Sequence, residues 1–190
     1  TAAVFSFVND DYVEDWLRNN SITIQNDDSD ILSIQEIENW PVIIVDFNGR
    51  NTNQAAAIND AEDMLIPHAD DYFSQLSGGE VSVNVDVHQV MVTATGSLSA
   101  YGSDNGVERD SSSDGTHLPM ILAEEVVTST RNSINWNKYD LNGDGTVDRL
   151  LILHTTIGQE SGGNSNRIWS HFTTFEDPVE LGNDLSVSHY

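Results

Sequence analysis

The sequence predicts an α/β or α+β fold in which a mixed, mostly parallel sheet is flanked by helices. Two continuous apolar runs, residues 40–47 and 150–153, are typical of strands buried on both faces of a sheet. Between them, apolar residues recur at the spacing of a helix in Gln54–Leu65 and in residues 118–127. A chain of 190 residues is long enough to bury the core of one such domain.

The first 39 residues differ in composition from the rest of the chain. They are polar and rich in asparagine and aspartate, and apolar residues at helical spacing predict two short helices, in residues 13–17 and 31–37. The chain begins with Thr1 rather than methionine, which is typical of a processed or excised piece. We therefore interpret residues 1–39 as an N-terminal extension or pro-segment remnant and residues 40–190 as the domain.

Local patterns predict the elements of the first half of this domain. The strand of residues 40–47 ends at an Asn-Gly turn signal. The helix Gln54–Leu65 is ended or kinked by Pro67, and a further helical stretch runs to Leu76. Valines alternate with polar residues from Val81 to Val87, which is the period of a strand with one face in water.

The second half of the domain follows the same logic. Residues 90–95 predict either a hairpin partner of the preceding strand or its continuation. Residues 96–115 are rich in glycine, serine and aspartate, which predicts a long surface loop. The next helix has Pro119 in its first turn, and the strand of residues 150–153 comes last.

Composition excludes several classes of function. The chain has 7 lysine and arginine residues against 31 aspartate and glutamate residues, a formal net charge of −24. Such a surface repels nucleic acids and anionic membranes, and it suits a protein that works in salt. The chain contains no cysteine, so it forms no disulfide, and no apolar run approaches the roughly 20 residues of a membrane span.

An aspartate-rich loop, residues 140–148, reads Asp-Leu-Asn-Gly-Asp-Gly-Thr-Val-Asp and predicts a calcium site. Gly145 stands where such a loop turns sharply, whereas Leu151 replaces the glutamate that completes an EF-hand. The remaining oxygens would come from elsewhere or from water, so a helix-loop-helix sensor is not expected. Five residues at alternate positions offer oxygen ligands: Asp140, Asn142, Asp144, Asp148 and, through its backbone carbonyl, Thr146.

An incomplete calcium loop favours an extracellular location. Weak calcium sites belong mainly to extracellular modules, because millimolar calcium is available there. Together with the acidic composition, the loop predicts a secreted protein.

The six histidines show no spacing that would let one helix or one turn hold a metal. His154 ends the strand of residues 150–153, at an edge where ligands of open sheets gather, and Glu160 lies near the same edge. His171 follows Trp169. These side chains could line a cleft, although a lone histidine is more often structural. No nucleophile-elbow motif is present, and carboxylate pairs in so acidic a chain neither support nor exclude a glycosidase.

Several segments, taken in order, resemble the immune inhibitor A family of secreted zinc metallopeptidases over roughly residues 40–175. The spacing of the segments carries this resemblance more than any one of them does. They are Pro41–Phe47, Tyr72–Gly79, Ala100–Gly102, Tyr139–Asp148, Leu153–Glu160 and Ile168–His171.

The resemblance implies the N-terminal half of a metallopeptidase-like catalytic domain that acts on proteins or peptides. In such enzymes two histidines of a His-Glu-x-x-His helix bind zinc, and the glutamate deprotonates the zinc-bound water. The 190 residues contain no His-Glu-x-x-His. We therefore expect the zinc site downstream or on a separate C-terminal chain, no catalytic residue in this chain, and no hydrolysis by this chain alone.

A second hypothesis also accounts for the absence of the His-Glu-x-x-His motif. The chain could be a non-catalytic extracellular calcium-binding module, or a subunit of an assembly, that has kept a peptidase-like fold. The residues that follow Tyr190 distinguish the two hypotheses, because only the first requires the zinc motif there.

Overall fold

The computed structural model describes residues 35–190. Within this range a central sheet contains β1 (Ile37–Phe47), β2 (Ser82–Val87), β3 (Val92–Ala94) and β4 (Leu151–His154). The helices are α1 (Gln54–Leu65), α2 (His68–Leu76), α3 (Leu98–Gly102) and α4 (Leu118–Thr130). A separate antiparallel hairpin is formed by β5 (Thr174–Gly182) and β6 (Leu185–His189). Short 3-10 helices span Trp136–Tyr139 and Gln159–Ser161.

Strand β1 is the centre of the sheet, and all three of its partners run parallel to it. Val42 pairs with both β2 and β4, and Val45 pairs with both β3 and β4. Because a strand residue has only two edges, β2 and β3 follow one another along one edge of β1, and β4 takes the other. The predicted α/β fold with a mostly parallel sheet is confirmed.

The two faces of β1 pack against different layers, because successive side chains of a strand point to opposite sides. Val42 and Ile44 pack with Ile58 and Ala61 of α1. The alternate residues of β1, such as Ile43 and Val45, pack in a larger core with α4 and the β5–β6 hairpin. The prediction of a strand buried on both faces therefore holds from Val42 to Phe47.

The helix Gln54–Leu65 has the bounds that its spacing predicts, and Asn53 caps it by accepting a hydrogen bond from the Ala56 N–H at 3.0 Å. A second helix follows Pro67 and ends at Leu76, also as predicted. No helix in the described part of the chain has the length and apolar character needed to cross a membrane.

Three local expectations need correction or stay open. Residues 90–95 do not form a hairpin with β2, because β3 pairs with β1 and continues the same edge. Ile37 lies in strand β1 rather than in a helix, inside the range 1–39 that the sequence separates from the domain. That division remains a prediction, and the helices expected in residues 13–17 and 31–34 lie outside the described residues.

The loop predicted at residues 96–115 is not wholly on the surface. It contains α3, and Tyr101, Gly102 and Asp110 in it are buried. A Cβ atom on Gly102 would lie 2.6 Å from the backbone nitrogen of Ile168, so only glycine permits this approach. Composition predicts exposure here, whereas contact with residues 167–169 buries part of the segment.

Candidate metal centre

The aspartate-rich loop of residues 140–148 begins after the 3-10 helix Trp136–Tyr139 and is closed at its base. The Asp148 N–H donates to the Tyr139 carbonyl at 2.7 Å, and the Leu141 N–H donates to Asp148 Oδ2 at 2.7 Å. These two bonds join Asp148, the last residue of the loop, to the residues on either side of Asp140. One backbone–backbone bond and one bond to a side chain thus close the loop.

Asp140 organises the interior of this loop. Its Oδ1 accepts from the Gly143 N–H at 2.8 Å and the Asp144 N–H at 3.1 Å, and its Oδ2 accepts from the Gly145 N–H at 3.0 Å. An ionised carboxylate offers about four acceptor sites, so these three bonds leave capacity for a cation. The backbone amides orient the carboxylate and partly neutralise it.

Asn142 and Asp144 continue the pattern. Asn142 Oδ1 accepts from the Asp144 N–H at 2.9 Å, and Asp144 Oδ1 accepts from the Thr146 N–H at 2.7 Å. The Asn142 amide also donates to Asp144 Oδ2 at 2.9 Å. Side-chain oxygens at alternate positions therefore accept hydrogen bonds from backbone N–H groups within the loop.

Gly145 makes the sharp turn that the sequence predicts for it. Its φ is +85°, in the left-handed region that favours glycine. A Cβ atom at this position would lie 2.6 Å from the Asp184 carbonyl oxygen. The turn and the close approach both require glycine.

Asp148 differs from the other acidic residues of the loop because it is only 6% exposed. Burial raises the pKa of the Asp148 carboxyl, and the charges of Asp144 and Asp140 raise it further. Hydrogen bonds from Leu141 and Gln35 act in the opposite direction. A bound cation would relieve the repulsion among the three carboxylates.

The donor set of the loop fits a hard cation in its chemistry, since every candidate ligand atom is an oxygen. Within residues 35–190, however, no three histidine, aspartate or glutamate side chains are grouped as a metal site. A site in the loop would therefore need Asn142, the Thr146 carbonyl and water in addition to carboxylates. These positions remain predictions as ligands.

The loop is joined to the β5–β6 hairpin by three hydrogen bonds. The Val147 N–H donates to the Ser186 carbonyl, and the Ser186 N–H donates to the Gly145 carbonyl, each at 2.9 Å. His189 Nε2 donates to the Asp148 carbonyl at 3.0 Å, and burial lowers the pKa of this imidazole. Order in the loop and order in the hairpin are therefore coupled.

The other candidate residues lie at two further places. His154 ends β4, where its Nδ1 is 3.0 Å from Thr156 Oγ1, and burial lowers its pKa. Glu160 accepts from the Ser170 N–H at 3.2 Å and from the Ser170 hydroxyl at 2.8 Å. The contact of His154 is thus local, whereas Glu160 joins the 3-10 helix Gln159–Ser161 to the segment at Ser170.

The fold also brings together two histidines that are far apart in the sequence. The rings of His117 and His171 meet edge to face at 4.9 Å, and His117 Nδ1 lies 3.2 Å from the Tyr190 hydroxyl. His171 Nδ1 donates to the Trp169 carbonyl at 2.7 Å. No spacing pattern signals this pair, because its members approach one another only through tertiary packing.

Comparison with known proteins relates this chain to a family of peptidases. The model of the family described as immune inhibitor A peptidase M6, catalytic domain, matches residues 52–186. Immune inhibitor A of Bacillus thuringiensis subsp. alesti is 30% identical over 117 residues, which cover 53% of this chain and 17% of that protein. The chain thus matches less than a fifth of the length of this relative.

The family match takes in both the loop of residues 140–148 and most of the β5–β6 hairpin. This metallopeptidase-like chain belongs to the immune inhibitor A peptidase M6 family, as its sequence motifs predict.

Proposed function

We propose that this chain is the N-terminal part of a secreted, calcium-stabilised zinc endopeptidase whose zinc site lies beyond Tyr190. The observation that carries the proposal is the match of residues 52–186 to the catalytic domain of a peptidase family. Protein or peptide substrates are expected for the complete enzyme. Zinc, when bound, would lower the pKa of a water molecule so that hydroxide is available for attack on a peptide carbonyl.

In this proposal the 190 residues support the zinc site structurally. They contain no His-Glu-x-x-His, and the described residues offer no group of three metal-ligating side chains. The loop of residues 140–148 would hold calcium through Asp140, Asn142, Asp144, Asp148 and the Thr146 carbonyl. Its hydrogen bonds to Ser186 and His189 would keep the β5–β6 hairpin in place.

Secretion is proposed from composition and from the type of calcium loop. A net charge of −24 is tolerated best where salt screens it, and weak calcium sites suit millimolar calcium. The absence of the zinc motif favours one alternative, a non-catalytic extracellular calcium-binding module or assembly subunit with a peptidase-like fold.

The zinc endopeptidase and the non-catalytic module differ in the residues that follow Tyr190 and in the activity of the longer protein. We expect the gene to continue past Tyr190 and to encode His-Glu-x-x-His, and the longer protein to cleave casein in a chelator-sensitive, zinc-restored manner. The 190-residue chain should show no cleavage in the same assay. A stop codon directly after Tyr190, or a longer protein without the motif and without activity, would support the non-catalytic module instead.

Calcium is expected to stabilise the 190-residue chain through the loop of residues 140–148. At a concentration about 100-fold above the dissociation constant, ligation adds about 2.7 kcal/mol, or roughly 5–10 °C in the melting temperature of a chain of this size. The measurement is thermal unfolding in a calcium titration after treatment with a chelator. Asp144→Asn should lose the part of the shift that the loop contributes. Asp60→Asn removes the same charge from an exposed position on α1 and should keep it. Equal shifts in both variants would contradict the assignment.

A further inference from the structure

Two buried oxygen atoms outside the loop of residues 140–148 lack any hydrogen-bond partner. They are Asp110 Oδ1 and Gln159 Oε1, and no other buried side-chain nitrogen or oxygen in the described part of the chain shares this property. The orientation of the Gln159 amide follows from chemistry, because its Nε2 donates to a carboxylate oxygen, Asp104 Oδ2, at 2.9 Å. Both orphaned atoms are therefore acceptors, and a buried acceptor without a partner costs about 1–3 kcal/mol.

A closed ring of hydrogen bonds brings together the two residues that carry these oxygens, Asp110 and Gln159. Asp104 bridges their residues on one side, since its Oδ1 accepts from the Asp110 N–H at 3.1 Å and its Oδ2 accepts from Gln159. The peptide between Ile168 and Trp169 bridges them on the other side. Its Trp169 N–H donates to Asp110 Oδ2 at 2.7 Å, and its Ile168 carbonyl accepts from the Gln159 N–H at 3.0 Å.

The charge in this ring is also unbalanced. Asp104 is half-buried and Asp110 is only 2% exposed, yet neither carboxylate belongs to an ion pair within residues 35–190. The guanidinium of neighbouring Arg109 lies instead over the Trp169 ring, 3.7 Å from its centroid. Burial raises the pKa of the Asp110 carboxyl and the Asp104 charge adds to this rise, whereas the Trp169 N–H and the charges of His171 and Arg109 act in the opposite direction.

A water molecule or a proton on Asp110 would supply a donor to the orphaned oxygens, but neither brings positive charge to two neighbouring carboxylates. A hard cation satisfies both requirements at once, because it takes several oxygen ligands and neutralises their charge. We propose that a divalent cation of the calcium class binds between Asp104, Asp110 and Gln159, at a site separate from the loop of residues 140–148. This inference does not depend on the proposed proteolytic function.

The proposed site would join two segments that are distant in sequence. Asp104 and Asp110 lie between α3 and α4, whereas Gln159 and the Ile168–Trp169 peptide come after β4. Gly102 already packs against the backbone at residues 167–168. The cation would therefore fix the segment that carries His171 against the segment that leads to His117.

The experiment uses the 190-residue chain and terbium(III), which occupies calcium sites and emits light when a nearby tryptophan is excited. Trp169 adjoins the proposed ligands, so we expect tryptophan-sensitised emission that persists in Asp144→Asn, where the loop of residues 140–148 is impaired. Calorimetric titration with calcium should give one site in Asp144→Asn. In the double variant Asp110→Asn/Asp144→Asn the affinity of this site should fall about tenfold or more.

Two further variants control for charge and for folding. Glu108→Gln removes one negative charge from an exposed neighbour and should leave the affinity unchanged. Gln159→Met removes the orphaned amide oxygen without changing charge and should weaken calcium binding, with circular dichroism as the check that the chain is folded. The proposal is overturned if Asp110→Asn and Gln159→Met leave ion binding unaltered. The proposal would also be overturned if both variants stabilised the fold, and did so equally with and without calcium. The ring of hydrogen bonds would then hold a water molecule or a proton instead of a cation.

Discussion

Replacement of Gly145 by alanine is expected to destabilise the protein by about 2–4 kcal/mol, because strain and a steric clash add at this position. The φ of +85° is costly for any residue with a Cβ atom, and that atom would lie 2.6 Å from the Asp184 carbonyl oxygen. Relief of the clash requires the loop to move away from the turn of the β5–β6 hairpin. That movement breaks the paired hydrogen bonds between Gly145, Val147 and Ser186. Urea unfolding followed by tryptophan fluorescence measures the loss.

Gly143 is the matched control for this substitution, because it lies in the same loop with a φ of +75°. No atom lies within 4 Å of the place where its Cβ would stand. Gly143→Ala should therefore lower the free energy of unfolding by about 1 kcal/mol, through backbone strain alone. If the two variants lose the same stability, the contact with Asp184 does not matter and the loop is not held against the hairpin as described.

The sequence predicts those parts of the fold that depend on local patterns. The bounds of Gln54–Leu65 follow from apolar spacing, and the turn at Gly145 follows from the ligand order of its loop. In both cases the residues that determine the conformation lie within one or two turns of each other. Periodicity and turn chemistry report such short-range preferences directly.

The parts that sequence reasoning misses depend on contacts between distant segments. Asp110 lies in a stretch whose composition predicts exposure, yet its carboxylate is bonded to the Trp169 N–H. His117 and His171 stand edge to face although no spacing relates them. Strand β3 pairs with β1 rather than with β2, although β2 is its neighbour in the sequence. None of these relations leaves a periodic trace in the chain.

Removal of the Arg149 side chain is expected to cost about 3–5 kcal/mol, because it leaves the Glu38 carboxylate buried and unpaired. Glu38 has a side chain only 3% exposed, and Arg149 Nε and Nη2 donate to its two oxygens at 3.0 and 3.2 Å. This pair attaches the start of β1 to the residue that follows Asp148. Arg149→Ala, measured by urea unfolding, should therefore lower the free energy of unfolding and loosen the base of the loop of residues 140–148.

Two comparisons separate the loss of charge balance from the loss of packing. Glu38→Gln/Arg149→Met removes both charges and keeps side chains of similar length, so it should recover part of the stability that Arg149→Ala loses, since desolvation of an unpaired charge no longer opposes folding. Lys138→Ala breaks a pair with Asp86 whose side chains are 53% and 45% exposed, and it should cost less than about 1 kcal/mol because solvent screens that pair. A double variant as unstable as Arg149→Ala would show that the loss does not come from an unpaired buried charge, because no charge remains in it, and would contradict this explanation.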